Sequence, residues 1–329
     1  MMHHTNVPSN QKSQPNDDGI DRRGMLRCMA WVGTGLVWGV SGGVATSRAF
    51  GQPVGAAPKS TFTFAQISDS HLGFARDPNK NVADTLRQTV ARINALPEPP
   101  AFLLHTGDLT HLAKPEEFDA VAEILKGVKA GAVAYVPGEH DFDGDGNKEY
   151  LTRYGKGTQG LGWNSFDYKG VHFVALVNVA NPKSGSGDGG LGVIGADQLG
   201  WLKRDLGGLK DSTPVVVYAH VPLWAVYEKW GWGTRDSAQA LSLLKRFGSV
   251  TVLNGHIHQV MQKVEGKVTF HTARSTAFPQ SEPGKGTPGP MRDLPASKLK
   301  GKLGISVVSY VENPGSLAIV DSTLEAAQG

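Results

Sequence analysis

Apolar residues along this chain fall into short runs that stop abruptly at polar loops. Residues 61–67 alternate and then run apolar into Ser68, as a buried strand feeding a polar loop does. Residues 101–105, 132–136, 171–179, 214–218 and 250–253 repeat the pattern, and each predicts a short buried strand. Between these runs the period lengthens. Val82, Leu86, Val90 and Ile93 recur every three or four positions, so 81–96 predicts an amphipathic helix with Asn81 as N-cap. Residues 115–126 predict a second, with Pro115 in the first turn, Glu116 and Glu117 at the positive end of the dipole, and Phe118, Val121 and Leu125 as its buried stripe. Further helices are expected over about 196–206 and 237–247, and closing strands over 267–271, 305–311 and 316–321. Strands alternating with helices predict an α/β fold. The stretches 184–192 and 280–295, rich in Gly, Ser and Pro, read as exposed loops.

The polar residues that terminate the strands are chemically unusual. Asp69 and His71 follow the first strand, Asp108 the second, and Glu139, His140 and Asp141 the third; His220 follows residues 214–218, and His256 and His258 follow 250–253. Ligands of α/β sheets bind beyond the carboxyl ends of strands, so these groups can meet although they are far apart in sequence. Carboxylates favour hard cations and imidazoles favour Zn, Fe, Ni or Mn, and the set holds more donors than one four-coordinate ion needs. Two ions sharing a bridging carboxylate match the count. Such a pair, about 3.5–4 Å apart, clamps a phosphoryl group and lowers the pKa of a bound water from about 15.7 toward about 7. That is hydrolysis without a protein nucleophile.

Composition narrows the alternatives. With 40% hydrophobic and 19% charged residues the chain is not disordered by composition, and a formal net charge of +3 gives no broad basic surface for a nucleic-acid polymer. The one cysteine, Cys28, precedes every segment with a folding pattern and has no internal partner. Upstream, Arg22 and Arg23 stand before an apolar, Gly-rich run over residues 29–44, followed by Ser47-Arg48-Ala49. The run is 16 residues, shorter than the roughly 18–20 that span a bilayer. Residues 1–49 resemble a twin-arginine signal peptide, which implies the twin-arginine export machinery as a partner, a periplasmic or secreted location and no stable membrane anchor. A linker over 50–60 and one domain over 61–322 complete the expected organisation. Without the leader the chain is near neutral, since Lys12, Arg22, Arg23, Arg27 and Arg48 leave together with Asp17, Asp18 and Asp21.

The ordered blocks Asp69-x-His71, Gly107-Asp108, Gly138-Glu139-His140-Asp141, His220 and Gly255-His256-x-His258 resemble those of the calcineurin-like metallophosphoesterases. Within them the chain is most similar to the branch of purple-acid-type phosphatases and bacterial cyclic-nucleotide phosphodiesterases. The resemblance covers roughly residues 60–275 and implies a β-sandwich flanked by helices in four layers. It implies two divalent or trivalent ions (Fe, Mn or Zn): Asp69, His71 and His258 on the first, Asp108 bridging, His220 and His256 on the second. It also implies that His140 lies over a small phosphate-ester substrate, with Asp141 orienting its imidazole.

Glu139 departs from that pattern, which has Asn there. As a ligand it raises the protein's charge from −2 to −3 against +4 from two divalent ions, which tightens the second metal, weakens its Lewis acidity and repels phosphate. Three outcomes are open: Glu139 ligates, it turns away and water takes its place, or the site is a weak or inactive metal-binding module. Phosphodiester cleavage is slightly favoured over monoester cleavage. Among lesser features, Trp224, Tyr227, Trp230 and Trp232 form an aromatic loop that either stacks on substrate or packs on itself, and Arg235 is a candidate phosphate anchor. Residues from Asp141 to Glu149 match the first part of a calcium loop, but Thr152 stands where a bidentate Glu belongs.

Overall fold

The computed structural model describes residues 36–41, 44–49, 61–142, 146–179, 191–311 and 316–325. Its strands are β1 (Leu36–Ser41), β2 (Val44–Ala49), β3 (Phe62–Ile67), β4 (Leu103–His105), β5 (Val133–Tyr135), β6 (Asn164–Tyr168), β7 (Val171–Leu176), β8 (Val215–Ala219), β9 (Val250–Asn254), β10 (Gln262–Glu265), β11 (Val268–Thr272), β12 (Gly304–Val311) and β13 (Ser316–Thr323). Its helices are α1 (Val82–Asn94), α2 (Pro115–Leu125), α3 (Lys148–Tyr154), α4 (Ala196–Gly207), α5 (Ser237–Leu244) and α6 (Ala296–Leu299). They build two sheets, ordered β1-β2-β13-β12-β3-β4-β5 and β10-β11-β9-β8-β7-β6. β3, β4 and β5 run parallel in the first, as do β7, β8, β9 and β11 in the second.

Continuous apolar runs arise because the central strands are covered on both faces. Phe62, Phe64 and Phe102 point into the sandwich and meet Phe173, Tyr218 and Leu253 of the other sheet. The Phe64 and Phe173 rings lie 5.5 Å apart, edge to face at 84°. Ala65 and Ile67 point the other way, against Leu86, Val90 and Ile93 of α1 and Phe118 and Val121 of α2. On the opposite side Val215 and Val217 pack on Trp201, Leu202 and Leu206 of α4 and on Ala240 and Leu244 of α5. The result is the expected four-layer mixed α/β sandwich flanked by helices. Asn81 caps α1 as its sequence position predicts, accepting from the Asp84 N–H at 3.1 Å.

Several elements carry no strong pattern. β6 and β10 are edge strands, and all four residues of β10 are exposed, with Lys263 and Glu265 paired across its solvent face. α3 occupies part of the stretch read as a calcium loop. Thr152 sits inside this helix and donates to the Lys148 carbonyl, while Glu149 pairs with Arg153 at 2.8 Å. Asp143 and Asp145 lie outside the described residues, as do Arg22, Arg23 and the linker over 50–60. Of the expected leader, β1 and β2 pair as an antiparallel hairpin, and β2 also pairs with β13.

His172, at the start of β7, has a carboxylate on each ring nitrogen: Asp167 Oδ1 at 2.8 Å from Nδ1 and Asp205 Oδ2 at 3.0 Å from Nε2. Carboxylates only accept, so both bonds exist only in the imidazolium. Burial works to lower the His172 pKa, but its bonds to Asp205 and Asp167 outweigh burial and raise it. The unfolded histidine titrates near 6.5, so this stabilisation is complete below that pH and disappears as pH rises through the higher folded value. We predict that the stability difference between wild type and His172→Gln, from urea unfolding, shrinks by about 1 kcal/mol between pH 6 and a pH above that folded value. A pH-independent difference would refute the clamp.

Candidate metal centre

The loops beyond β3, β4, β5, β8 and β9 converge. The first two interlock through their backbones, with Asp69 N–H on Gly107 O and His71 N–H on Asp108 O, both at 2.9 Å. Asp69, His71, Asp108, His256 and His258 all have positive φ, between 42° and 69°. Non-glycine residues rarely adopt this left-handed backbone, which costs about 1–3 kcal/mol each, so the surrounding contacts hold each donor where it is. Gly107 has φ +97°, and a Cβ there would lie 2.4 Å from Nδ1 of His220. Only glycine lets the β4 loop lie against that imidazole.

Of four overlapping donor groups among the described residues, two gather the expected ligands. Asp69, His71, Asp108 and His258, all buried, form one; Glu139, His220 and His256 form the other. In the first, His71 Nε2 lies 3.4 Å from Asp108 Oδ2 and 3.2 Å from His258 Nε2, which is 3.2 Å from Asp69 Oδ1. In the second, the Glu139 carboxylate spans two imidazoles, with Oε2 2.9 Å from His220 Nε2 and Oε1 2.9 Å from His256 Nδ1. Asp108 joins the groups, because its Oδ2 is also 3.3 Å from His220 Nε2.

The tautomers suit cation binding. His258 and His220 direct Nδ1 at carbonyl oxygens, Phe278 O at 2.5 Å and Thr106 O at 2.7 Å. A carbonyl only accepts, so in the neutral rings the hydrogen is on Nδ1 and the Nε2 lone pair faces the site. His220 Nε2, Glu139 Oε2 and His256 Nδ1 are buried and meet only at ion-pair distance, without hydrogen-bond geometry. Buried polar atoms are seldom left so unless another group satisfies them. Burial lowers the pKa of His220, yet the Asp108 and Glu139 carboxylates raise it well above its ordinary value, a measure of how strongly they favour positive charge there. Burial alone would raise the Asp69 carboxyl, but His258 and His220 hold it down at about 2. The residues present therefore fit two cations.

His140 lies over the first group, its ring 4.7 Å from that of His71. Its backbone N–H binds Asp108 Oδ1 at 2.9 Å, and its Nδ1 donates to the His111 carbonyl at 2.8 Å. Burial lowers its pKa, but Asp108 and Glu139 raise it further, which favours a protonated ring. The expected orienting role of Asp141 is corrected. That buried carboxylate accepts from the N–H groups of Leu109, Thr110 and Gly138 and from the Thr110 hydroxyl, so it ties the β5 loop to the β4 loop. Burial and the nearby Asp108 charge push its carboxyl up to about 7.

The aromatic loop is partly a core of its own. Trp232 is only 1% exposed, with Trp230 packed edge-on at 5.1 Å, so of the two outcomes left open this indole packs within the loop instead of stacking on substrate. Trp230 is half-buried and Arg235 exposed at the end of this loop, outside both donor groups. His111, three residues past Asp108, reaches the cleft, stacked at 14° on His140. Burial and His140 push its pKa down to about 4, so it is neutral at neutral pH. The carbonyls of Thr106, His111 and Phe278 orient the imidazoles, and main-chain acceptors leave no signature in a sequence.

A family model described as calcineurin-like phosphoesterase matches residues 62–260, the span that carries every one of these donors. The chain belongs to that family. As a calcineurin-like phosphoesterase it is a metal-dependent phosphoester hydrolase of a family that works with two metal ions. It is 26% identical over 230 residues to the glycerophosphodiester phosphodiesterase GpdQ of Enterobacter lignolyticus (strain SCF1), a match covering 64% of this chain and 76% of that one. Its fold resembles that of a dimetal phosphatase from Danio rerio, with a TM-score of 0.61 at 16% identity over 81% of this chain and 99% of that one. It also resembles a purple acid phosphatase from yellow lupin (Lupinus luteus), at TM-score 0.54, 12% identity, and 84% and 58% coverage.

Cations that bind the folded protein stabilise it by mass action, by about 4 kcal/mol at 1,000 times the dissociation constant. We predict that manganese or zinc added to chelator-treated protein raises the melting temperature by about 10 °C, and that Asp108→Asn removes most of the rise. Equal melting temperatures with and without metal would show that the cluster holds none.

Proposed function

We propose that the protein is an exported phosphohydrolase that favours phosphate diesters. The observation that carries the substrate preference is the Glu139 carboxylate, held between His220 and His256 at 2.9 Å from each. Asp69, His71 and His258 would hold one ion, Glu139, His220 and His256 the other, and Asp108 both. Such ions supply polarisation of a phosphoryl oxygen and acidification of water. The chain's own residues do the rest. His140, fixed through Nδ1 on the His111 carbonyl, presents Nε2 to the cleft and can give a proton to the leaving oxygen. Trp230 and Arg235 are candidates to contact the organic part and charge of the ester.

A monoester dianion carries one more negative charge than a diester. Against a carboxylate about 5 Å away at an effective dielectric of about 20, that extra charge costs about 3 kcal/mol before screening. The similarity to a glycerophosphodiester phosphodiesterase supports the same preference. We predict that, loaded with Mn, Zn or Fe, the enzyme cleaves an aryl phosphate diester with a higher kcat/KM than the monoester, and that Glu139→Asn narrows the ratio about tenfold or more. An unchanged ratio in the variant would refute the charge argument.

Export rests on Arg22 and Arg23 ahead of the apolar run. Among the described residues no helix is long and apolar enough to cross a membrane. Twin-arginine export carries folded proteins, so the metal centre would form before translocation. Replacing both arginines by lysine should leave the protein in the cytoplasmic fraction of a bacterial host; unchanged export would exclude this route.

A further inference from the structure

The imidazoles of the donor groups are not anchored alike. His220 and His258 each give Nδ1–H to a backbone carbonyl, whereas His71 faces another imidazole, with Nδ1 3.4 Å from Nδ1 of His111. One of these two nitrogens must carry the hydrogen. His71 Nε2 points at Asp108 Oδ2 and His258 Nε2, the direction in which a ligand lone pair is needed. The hydrogen therefore belongs on His71 Nδ1, and His111 Nδ1 accepts it.

His111 is itself held on several sides. Its N–H and that of Leu112 both reach Glu117 Oε2, at 3.2 and 2.8 Å, in the first turn of α2. Gly73, at φ +103°, packs against the same carboxylate so closely that a Cβ would lie 2.1 Å from Oε1. Phe74 meets the His111 ring edge to face at 5.3 Å. The His111 carbonyl then accepts from His140 Nδ1 at 2.8 Å.

We infer that His111 is a positioning residue for both sides of the reaction: its ring fixes the tautomer and direction of His71, and its carbonyl fixes those of His140. This rests on the metal reading above. A partner of this kind changes metal affinity about 10–100-fold when removed.

His111→Ala removes the ring acceptor and keeps the carbonyl. His111→Asn places Oδ1 where Nδ1 was, an oxygen that only accepts. Metal titration against a chelating dye should show two ions on the wild type, a first-site affinity about 10–100-fold weaker in His111→Ala, and near-complete recovery in His111→Asn. Long-range nitrogen NMR of the zinc-loaded wild type should show His71 protonated on Nδ1, a readout independent of whether the alanine variant folds. Two ions bound equally tightly by wild type and His111→Ala, or His71 protonated on Nε2, would overturn the inference while leaving the metal centre intact. No metal on the wild type would overturn both.

Discussion

Asp69 and Asp108 are carboxylates buried to within 1% of full enclosure, and the Glu139 carboxylate stands beside them among three further imidazoles. Taking a charge out of water costs several kcal/mol even after relaxation, and the cost is recovered only by an opposite charge in good geometry. Apart from Lys and Arg, which the donor groups lack, that charge comes from protonated histidine or from a cation. His71, its Nε2 3.2 Å from another imidazole's Nε2, favours the latter, because two imidazolium rings would repel there. The rest of the architecture serves this constraint. Parallel strands end together at one rim of the sandwich, and strained, short loops hold the donors within about one ion's reach.

The four-layer frame was legible because its central strands and flanking helices are written in long apolar periods, as in Val82 to Ile93 or Val215 to Ala219. The donors were legible for the same reason: each follows such a strand. β6 and β10 were not, since an edge strand with polar or exposed positions has no apolar run to show. α3 is seven residues long with a single buried side chain, Tyr150, too little for a period. Asp141 was misread because its position next to His140 suggests a side-chain pair, whereas the tight 139–141 turn points its carboxylate back at the amides of Leu109 and Thr110. Of the two readings open for Trp232 the structure takes the second, packing within its own loop, where Asn178 donates to both the Val221 carbonyl and the Thr234 hydroxyl.

Glu139 shows how a local change is absorbed by a fixed frame. Its backbone lies in the turn that delivers the His140 N–H to Asp108, so the Glu139 side chain reaches the second group from a position that the first group helps to fix. A neutral amide offers one oxygen; this carboxylate offers two, one toward each of His220 and His256. The second group thereby carries a full negative charge, and under the proposed function its cost falls on the more highly charged monoester. On the proposed reading, specificity depends less on a pocket's shape than on the net charge the donors leave uncompensated, which is a property of one side chain at the end of β5 rather than of the sandwich that carries it.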